Sequence, residues 1–334
     1  MIKKLLLIGL PVLAVVVLIG FVITDGRNGN KQGADNTNNQ QNQRTQKGIG
    51  LSPKSFNGAD FRQFFSKASK GSSIILWGGT WESLGAENSA PRVVLELQED
   101  YRHSSAIVVD VPSETLAAQV DLRPLLEDAA AFAEEYKPAY MGLGNEVNFY
   151  YDFSPEEYEF RMQFYRDAYD MIKEVSPDTQ VFTVFQLESM KGMQGGLFGG
   201  ENNPTRLSQW DLLEDAEVFD FIAFTSYPGL VYKHPDDIPQ DYFRDILSHT
   251  DKPIAFSETG WFREGPDSEW ESSVEEQERY IRKLPSLISP TNPKFVTWLF
   301  LYDQETRPPF TTMGLLAPED ETSDAWEAWQ LIRL

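Results

Sequence analysis

Eight short apolar runs recur along the chain, and most of them are separated by stretches with the period of an amphipathic helix. The runs are rich in β-branched and aromatic residues, and they fall at residues 49–51, 73–77, 106–111, 139–143, 180–185, 219–225, 253–257 and 295–301. Strands buried on both faces are typical of parallel sheets, and strands that alternate with helices indicate βαβ units. Eight such units predict an α/β fold of the (β/α)₈ barrel type.

The stretches between the runs support this prediction. Residues 122–136, 155–175 and 277–287 have the pattern of amphipathic helices, and Ser154 is placed to cap the second of them. An open, doubly wound sheet is the main alternative, but no glycine-rich phosphate loop follows the first strand. In a barrel, the side chains that act on a ligand lie at the carboxyl ends of the strands.

The N-terminal part of the chain differs in composition from the rest. Two early lysines precede residues 5–24, a run of 20 residues without a charge, which is long enough to span a hydrocarbon core of about 30 Å. The positive-inside rule predicts a transmembrane signal anchor over residues 1–24 with the rest of the chain extracytoplasmic, and a cleaved signal with secretion is the alternative. Residues 25–47 are rich in Asn, Gln and Gly, which predicts a flexible, disordered linker before a barrel over residues 48–334.

The composition argues against several classes of function. The formal net charge of −22, from 51 acidic and 29 basic residues, disfavours nucleic acid as a partner and suits a neutral or cationic ligand. The chain contains no cysteine, so thiol catalysis and lipoprotein attachment are excluded. None of its three histidines ends a strand or has metal-ligand spacing, and no serine occupies a nucleophile elbow, which disfavours metallohydrolases and α/β-hydrolase esterases.

Two of the predicted strands end in a glutamate. The fourth strand ends at Asn145 and Glu146, and the seventh ends at Glu258. A glutamate in an apolar strand is costly unless it has partners or a task. A retaining glycosidase needs two carboxyl groups about 5–5.5 Å apart, one protonated to supply H⁺ to the leaving oxygen and one ionised to attack the anomeric carbon. Each carboxylate raises the proton affinity of the other, so that one of them can stay protonated near neutral pH.

These strand ends resemble those of glycoside hydrolase clan A. The resemblance rests on Gly-Asn-Glu at 144–146 and Ser-Glu-Thr-Gly-Trp at 257–261, together with residues 220–228, similar to the sixth strand of the clan, and residues 313–326, similar to its closing segment. Within the clan the chain is most similar to the family 53 endo-β-1,4-galactanases. The resemblance covers about residues 48–334, and it implies a glycosidase that cleaves a β-linked neutral saccharide without a metal or organic cofactor.

The resemblance also implies a role for each matching residue. Glu146 matches the acid/base and Glu258 matches the nucleophile. Asn145 matches the amide that hydrogen-bonds the sugar 2-hydroxyl, and Tyr227 matches a phenol that hydrogen-bonds the nucleophile. Trp298, on the eighth strand, matches the aromatic floor beneath the sugar that is cleaved, because the apolar face of a pyranose packs on a flat ring.

Other side chains at strand ends are candidates for substrate contact. Trp77 and Trp261 are placed to line sugar subsites, although aromatic residues on barrel strands also serve as core. Glu188 follows the fifth strand and competes with the predicted pair as a carboxylate at the mouth. Asp110 and Asp303 lie at similar positions, and each of these three acids is either a substrate contact or a loop anchor.

The second strand departs from the clan pattern. Clan members usually carry an arginine near its end that keeps the nucleophile ionised, whereas residues 74–82 contain none. This departure keeps open a second hypothesis, a non-catalytic carbohydrate-binding or envelope-interaction protein on a glycosidase-like barrel. A lyase or transglycosylase on the same scaffold is a third, because water and a sugar hydroxyl attack the same intermediate. The expected ligand is a carbohydrate in each case.

Overall fold

The computed structural model describes residues 44–117 and 121–334, and within them eight parallel strands form a closed barrel in sequence order. The barrel closes where the first strand pairs with the eighth, in a register that joins Gln46 to Phe295 and Ile49 to Trp298. The predicted (β/α)₈ barrel is thus confirmed. Its strands are β1 (Gln46–Gly50), β2 (Ile74–Thr80), β3 (Ser104–Asp110), β4 (Tyr140–Leu143), β5 (Gln180–Gln186), β6 (Phe221–Ser226), β7 (Ile254–Thr259) and β8 (Phe295–Trp298).

Helices lie between the strands and cover the outside of the barrel. The α-helices are α1 (Gly58–Ala68), α2 (Glu82–Gly85), α3 (Ala90–Glu96), α4 (Gln98–Tyr101), α5 (Ser113–Ala117), α6 (Arg123–Tyr136), α7 (Asn148–Phe153), α8 (Pro155–Val175), α9 (Leu187–Met190), α10 (Val274–Ile288) and α11 (Asp324–Leu331). Short 3₁₀ turns replace long helices after β5 and β6, between residues 194 and 248. A small sheet of β9 (Phe300–Tyr302) and β10 (Gly314–Leu316) extends the last unit.

Helix α8 begins where its sequence predicts. The Ser154 hydroxyl accepts a hydrogen bond from the Glu157 amide at 3.2 Å, which satisfies one of the free amide groups of the first turn. Pro155 follows at the first helical position, where its fixed φ suits the helix and its missing N–H leaves no donor unpaired. The other two predicted helices, α6 and α10, also occur, with ends that differ from the prediction by up to three residues.

The interior of the barrel is packed with side chains from alternate strand positions. The Phe182 ring stacks on Phe221 with centroids 4.7 Å apart and meets Phe295 edge-on at 6.0 Å. This inner cluster fills the barrel below its carboxyl-end mouth, so that the free volume of the fold lies at the mouth. The residues of the inner cluster are Ile74, Leu76, Ala106, Val108, Phe182, Val184, Phe221, Ala223, Ala255 and Phe295.

The barrel begins two residues earlier than predicted, because Gln46 and Lys47 belong to β1 rather than to the linker. The Lys47 ammonium donates to the carbonyl oxygens of Trp329, Gln330 and Ile332 at 2.6, 3.1 and 3.1 Å. These carbonyl groups end the last helix and would otherwise lack partners. Lys47 therefore ties the first strand to the C-terminal helix, a contact between the two ends of the barrel that local sequence does not reveal.

The predicted signal anchor over residues 1–24, and most of the predicted linker over residues 25–47, lie outside the described residues. In the part of the chain that the structure describes, no helix has both the length and the apolar character needed to cross a membrane. The extracytoplasmic location and the membrane anchor therefore stay predictions.

Replacing Phe182 with Ala should destabilise the fold by about 3–5 kcal/mol, because the substitution opens a cavity in the packed barrel interior. Chemical denaturation followed by tryptophan fluorescence measures this change. Phe160→Ala is the matched control, since the Phe160 side chain on α8 is 52% exposed and its loss should change stability by about 0.5 kcal/mol or less. Equal effects of the two substitutions would contradict the packed interior.

Candidate active site

Glu146 and Glu258 are both buried at the carboxyl-end mouth of the barrel. Glu146 follows β4, and Glu258 is the penultimate residue of β7. Thr225 on β6 connects them, because its hydroxyl donates to Glu146 Oε1 at 2.6 Å while its Cα is the register partner of Glu258. Neighbouring strands lie about 4.8 Å apart. The structure therefore brings the two predicted carboxyl groups into one small space.

The backbone turns sharply between β4 and Glu146. Gly144 has a φ of +81° and Glu146 has a φ of +52°, both in the left-handed region. A Cβ on Gly144 would clash with Val147 and would lie 2.6 Å from Tyr165, so that only glycine fits there. A non-glycine residue with positive φ costs on the order of 1–3 kcal/mol, and such residues cluster at functional sites. The turn directs the Glu146 carboxyl group toward Thr225.

Tyr227, just after β6, donates a hydrogen bond from its phenol to Glu258 Oε2. This is the contact that the resemblance implies for Tyr227. The phenol is held in place because its ring is buried and packs edge-on against Phe310 with centroids 5.1 Å apart. Burial raises the pKa of Glu258, and the hydrogen bond from Tyr227 acts in the opposite direction by stabilising the carboxylate.

The two carboxyl groups also influence each other. Burial raises the pKa of Glu146, and the negative charge of Glu258 raises it further, whereas the Arg307 guanidinium acts to lower it. A proton shared within such a pair is released in two steps that belong to the pair as a whole. Tyr227 favours the charged form of Glu258, so Glu146 is the member of the pair that holds the second proton to higher pH.

The side chain of Asn145 is buried beside the pair and is unsatisfied. Neither its Oδ1 nor its Nδ2 atom has a hydrogen-bond partner among the residues that the structure describes. Leaving a buried amide unpaired costs about 1–3 kcal/mol for each group. A ligand that carries a hydroxyl group would satisfy both atoms, since a hydroxyl group donates and accepts.

Two cavities open beside the carboxyl pair. The first, which we call the Glu258 cavity, has a volume of about 660 Å³, within the range of about 300–1,000 Å³ that is usual for ligand pockets. Its walls include Trp77, as predicted, together with three residues that the sequence did not single out, Phe56, Phe300 and Gln304.

The second cavity, the Glu146 cavity, has a volume of about 430 Å³. Tyr227 is part of its wall and donates to Glu258, so the two cavities meet at the carboxyl pair. The residues that line the Glu146 cavity are Glu146, Phe149, Gln186, Leu197, Phe198, Tyr227, Leu230, Arg307, Pro309 and Phe310.

Two predicted substrate contacts, Trp298 and Trp261, are not brought to either cavity. Both are fully buried in the layer between the barrel and its helices. Trp298 packs against Trp329 with ring centroids 5.7 Å apart, and Trp261 packs against Tyr280 at 5.2 Å. Consecutive side chains of a strand alternate between its two faces, and the Trp298 indole lies on the outward face. Phe300, two residues later on β9, supplies the aromatic wall instead.

Glu188 lies near the pair but is occupied by the protein. Its Oε1 atom accepts hydrogen bonds from Ser226 Oγ at 2.7 Å, from the backbone amide of Tyr227 at 3.0 Å and from Tyr242 Oη at 2.6 Å. Its Oε2 atom accepts a hydrogen bond from the side-chain amide of Gln186. Glu188 therefore anchors the end of β6 and fixes Tyr227, and it does not line either cavity.

The two strand-end aspartates are anchors as well. Asp110 pairs with the buried Arg161 at 3.2 Å and accepts a hydrogen bond from Tyr150 at 2.7 Å. Asp303 pairs with Arg263 and accepts a hydrogen bond from the Gly314 amide at 2.9 Å. Over residues 44–117 and 121–334, no group of three or more His, Asp or Glu side chains is arranged to hold a metal ion.

Comparison with known proteins shows the fold. No protein-family model matches the sequence, and no curated protein matches it either. Among solved structures, a family 39 glycoside hydrolase from Bacteroides cellulosilyticus WH2 superposes with a TM-score of 0.61 at 14% sequence identity, over 87% of this chain and 64% of the other. An exo-β-1,4-mannosidase from Opitutaceae bacterium strain TAV5 superposes with a TM-score of 0.60 at 14% identity, over 86% and 58% of the two chains.

A shorter protein matches over almost its whole length. The β-glucosidase from Exiguobacterium marinum superposes with a TM-score of 0.63 at 11% identity, over 88% of this chain and 98% of the other. The chain thus spans about three fifths of the two longer structures and nearly all of this one. These likenesses confirm the barrel fold that the resemblance to clan A implies, whereas the narrower resemblance to family 53 stays a prediction.

Replacing Glu146 with Gln should stabilise the protein at alkaline pH. The pKa of Glu146 is higher in the folded protein than in the unfolded chain, so wild-type stability falls as the pH rises through the folded-state pKa. A glutamine carries no charge, and we expect its free energy of unfolding to exceed that of the wild type by about 1–2 kcal/mol at pH 8. The difference should shrink toward pH 4, where the wild-type carboxyl group is protonated in both states.

Urea denaturation at several pH values measures this difference. Glu134→Gln on α6 is the matched control, because Glu134 is exposed to solvent and its substitution should leave the pH dependence unchanged. A Glu146→Gln protein that is less stable than the wild type at pH 8 would show that the carboxylate is satisfied in its charged form.

Proposed function

We propose that this protein is a retaining β-glycoside hydrolase with Glu258 as nucleophile and Glu146 as acid/base. The observation that carries the proposal is the pair of buried carboxyl groups at the barrel mouth, with pKa values raised by burial and, for Glu146, by the charge of its neighbour. Strongly perturbed carboxyl groups that face each other in a cleft are typical of catalytic acids and bases. The likeness to glycoside hydrolases of several families supports the same conclusion at the level of the fold.

The two carboxyl groups divide the reaction between them. In the first step, a Glu258 oxygen bonds to the anomeric carbon as the bond to the leaving group breaks, and Glu146 transfers its proton to the leaving oxygen. In the second step, Glu146 accepts a proton from water, whose oxygen attacks the same carbon and releases Glu258. The unsatisfied amide of Asn145 lies beside the pair and would hydrogen-bond the sugar 2-hydroxyl. Two inversions give net retention of configuration.

Tyr227 supplies part of what the arginine of the second strand supplies in other clan members. Its phenol donates to Glu258, which favours the anion that must attack. The phenol itself is held because Glu188 accepts the Tyr227 backbone amide at 3.0 Å and Phe310 packs against the ring. The missing arginine therefore does not by itself favour a non-catalytic protein. A binding protein would gain nothing from a strained, protonated Glu146.

The Glu258 cavity supports a neutral sugar as the group that is attacked. None of the described residues lining this cavity is a lysine or an arginine, so its wall offers no cation to bind a uronate. Trp77 and Phe300 offer flat apolar surfaces for a pyranose, and Gln304 offers an amide. We therefore propose a β-linked neutral glycone, and the family 53 preference for galactose is one member of that class.

We also propose that the barrel works outside the cell membrane, held there by residues 1–24. The proposal is supported by the two N-terminal lysines and the following run of 20 uncharged residues. The described barrel is compatible with this arrangement, because β1 starts at the end of the barrel opposite the cavities. The mouth would then face away from the tether.

Replacing Glu258 with Ala should lower the cleavage of aryl β-glycosides by at least about 10⁴-fold, because no other group can attack the anomeric carbon. Added azide should restore turnover and give a product of inverted configuration, since azide then attacks in place of the carboxylate. Glu134→Ala on the surface of α6 is the control for handling and folding. Cleavage by the Glu258→Ala protein at the wild-type rate would refute the assignment, and oligosaccharide binding by wild type without any product would favour the carbohydrate-binding alternative.

Replacing Tyr227 with Phe should move the acidic limb of the pH profile of kcat/KM to higher pH. The hydrogen bond that is lost lowers the pKa of Glu258, so a larger fraction of the nucleophile is protonated at acidic pH without it. We expect kcat/KM at pH 6 to fall by about 10–100-fold. Tyr151→Phe, at a 41% exposed position on α7, is the control. An unchanged acidic limb would show that Tyr227 does not hold the nucleophile.

A further inference from the structure

The position of Glu146 assigns a role to each cavity. In a retaining glycosidase the general acid stands beside the leaving-group oxygen, and the nucleophile stands beneath the sugar ring that is attacked. If the proposed function holds, the Glu258 cavity receives the sugar and the Glu146 cavity receives the leaving group. The chemistry of the Glu146 cavity therefore describes the aglycone.

The wall of the Glu146 cavity is unusually apolar for a sugar subsite. Phe149, Leu197, Phe198, Leu230 and Phe310 form most of it. A pyranose presents hydroxyl groups around its ring, and each one that is buried without a hydrogen-bond partner costs about 1–3 kcal/mol. Such a wall suits a flat aromatic or aliphatic group better than a second sugar.

The few polar side chains of this wall are mostly occupied already. The Gln186 amide donates to Glu188 through its nitrogen and accepts the Ser189 amide at 2.7 Å through its oxygen. The Tyr227 phenol donates to Glu258. Glu146 is reserved for the glycosidic oxygen itself. The wall therefore has little capacity left for binding the hydroxyl groups of a sugar.

Arg307 is the one cation among the described residues that line the two cavities. It projects from the segment between β9 and β10, where the Phe310 amide donates to the Arg307 carbonyl at 2.9 Å and the Phe310 ring packs on Tyr227. The chain has a net charge of −22, but charges farther away than the screening length of about 8 Å matter little to a ligand at this point. The planar guanidinium group is suited to bind a carboxylate through two hydrogen bonds.

We infer that the leaving group of the natural substrate is an apolar, aryl-type aglycone that carries an anionic group, with the anion bound by Arg307. The inference rests on the proposed function and extends it from the sugar to its partner in the glycosidic bond. An arginine that only offsets the charge of Glu146 is the competing explanation, and a carbohydrate leaving group is another. The three make different predictions for paired substrates.

The test compares 4-carboxyphenyl and 4-carbamoylphenyl β-glycosides, which differ in charge but hardly in shape, each made with glucose, galactose and mannose. Wild type should favour the carboxylate in kcat/KM by about tenfold, the size of one charge-assisted hydrogen bond at a partly exposed site. In Arg307→Gln this ratio should fall to about one, and in Arg307→Lys it should fall in part, since a point charge replaces the fork. Arg279→Gln, on the exposed face of α10, makes the same change in net charge and should keep the wild-type ratio.

A wild-type ratio near one would overturn the inference, as would an equal loss of activity toward both substrates in Arg307→Gln with a shifted alkaline limb, which is the result expected if Arg307 only offsets Glu146. Faster cleavage of disaccharides than of both aryl glycosides would overturn the apolar aglycone. Binding of 4-hydroxybenzoate and 4-hydroxybenzamide, measured by calorimetry, separates this inference from the proposed function. Binding of the acid that depends on Arg307 without any glycoside cleavage would refute the glycosidase alone, and absence of both would refute the two together.

Discussion

The burial of two carboxyl groups in one small space sets the demands that the rest of the site meets. Glu146 accepts a hydrogen bond from the Thr225 hydroxyl, and Glu258 accepts one from the Tyr227 phenol. Burial outweighs this stabilisation of the charged forms, so both carboxyl groups keep a raised proton affinity. That balance, with enough stabilisation for one anion and too little for two, is what acid and nucleophile chemistry on one pair of side chains requires.

The scaffold makes this arrangement possible by being rigid where the pair is attached. The phenylalanine cluster fills the barrel interior below the mouth, and the buried Glu188 fixes the end of β6 through three donors on one oxygen. The left-handed turn at Gly144 and Glu146 is held between them. Strain of this kind persists only when the surrounding structure over-determines it. A third buried carboxyl group, that of Glu188, is thus structural, although it resembles the proposed catalytic pair in sequence context.

The candidate site could be predicted in part. The two glutamates, Asn145 and Tyr227 were found because they end strands, and in a closed parallel barrel every strand end reaches the same mouth. Trp77 was found for the same reason. Trp298 and Trp261 were misplaced because one residue along a strand reverses the face on which a side chain lies, and short apolar runs do not reveal that register. Arg307 gave no signal at all, since it lies in a segment without periodicity, and its approach to Glu146 depends on how the last unit folds over the mouth.

The sequence by itself determined the order of strands and helices, the start of α8 at its Ser154 cap, and the acidic residues that the mouth would gather. These features follow from local patterns, hydrophobic period and capping, that act within a few residues of one another. The tertiary structure alone decided which carboxyl groups are paired, which are anchored, and which aromatic rings face the cavities. Those outcomes depend on contacts between residues far apart in the chain, such as Tyr227 with Glu258 and Lys47 with the last helix, and no local pattern encodes the distances across a closed barrel.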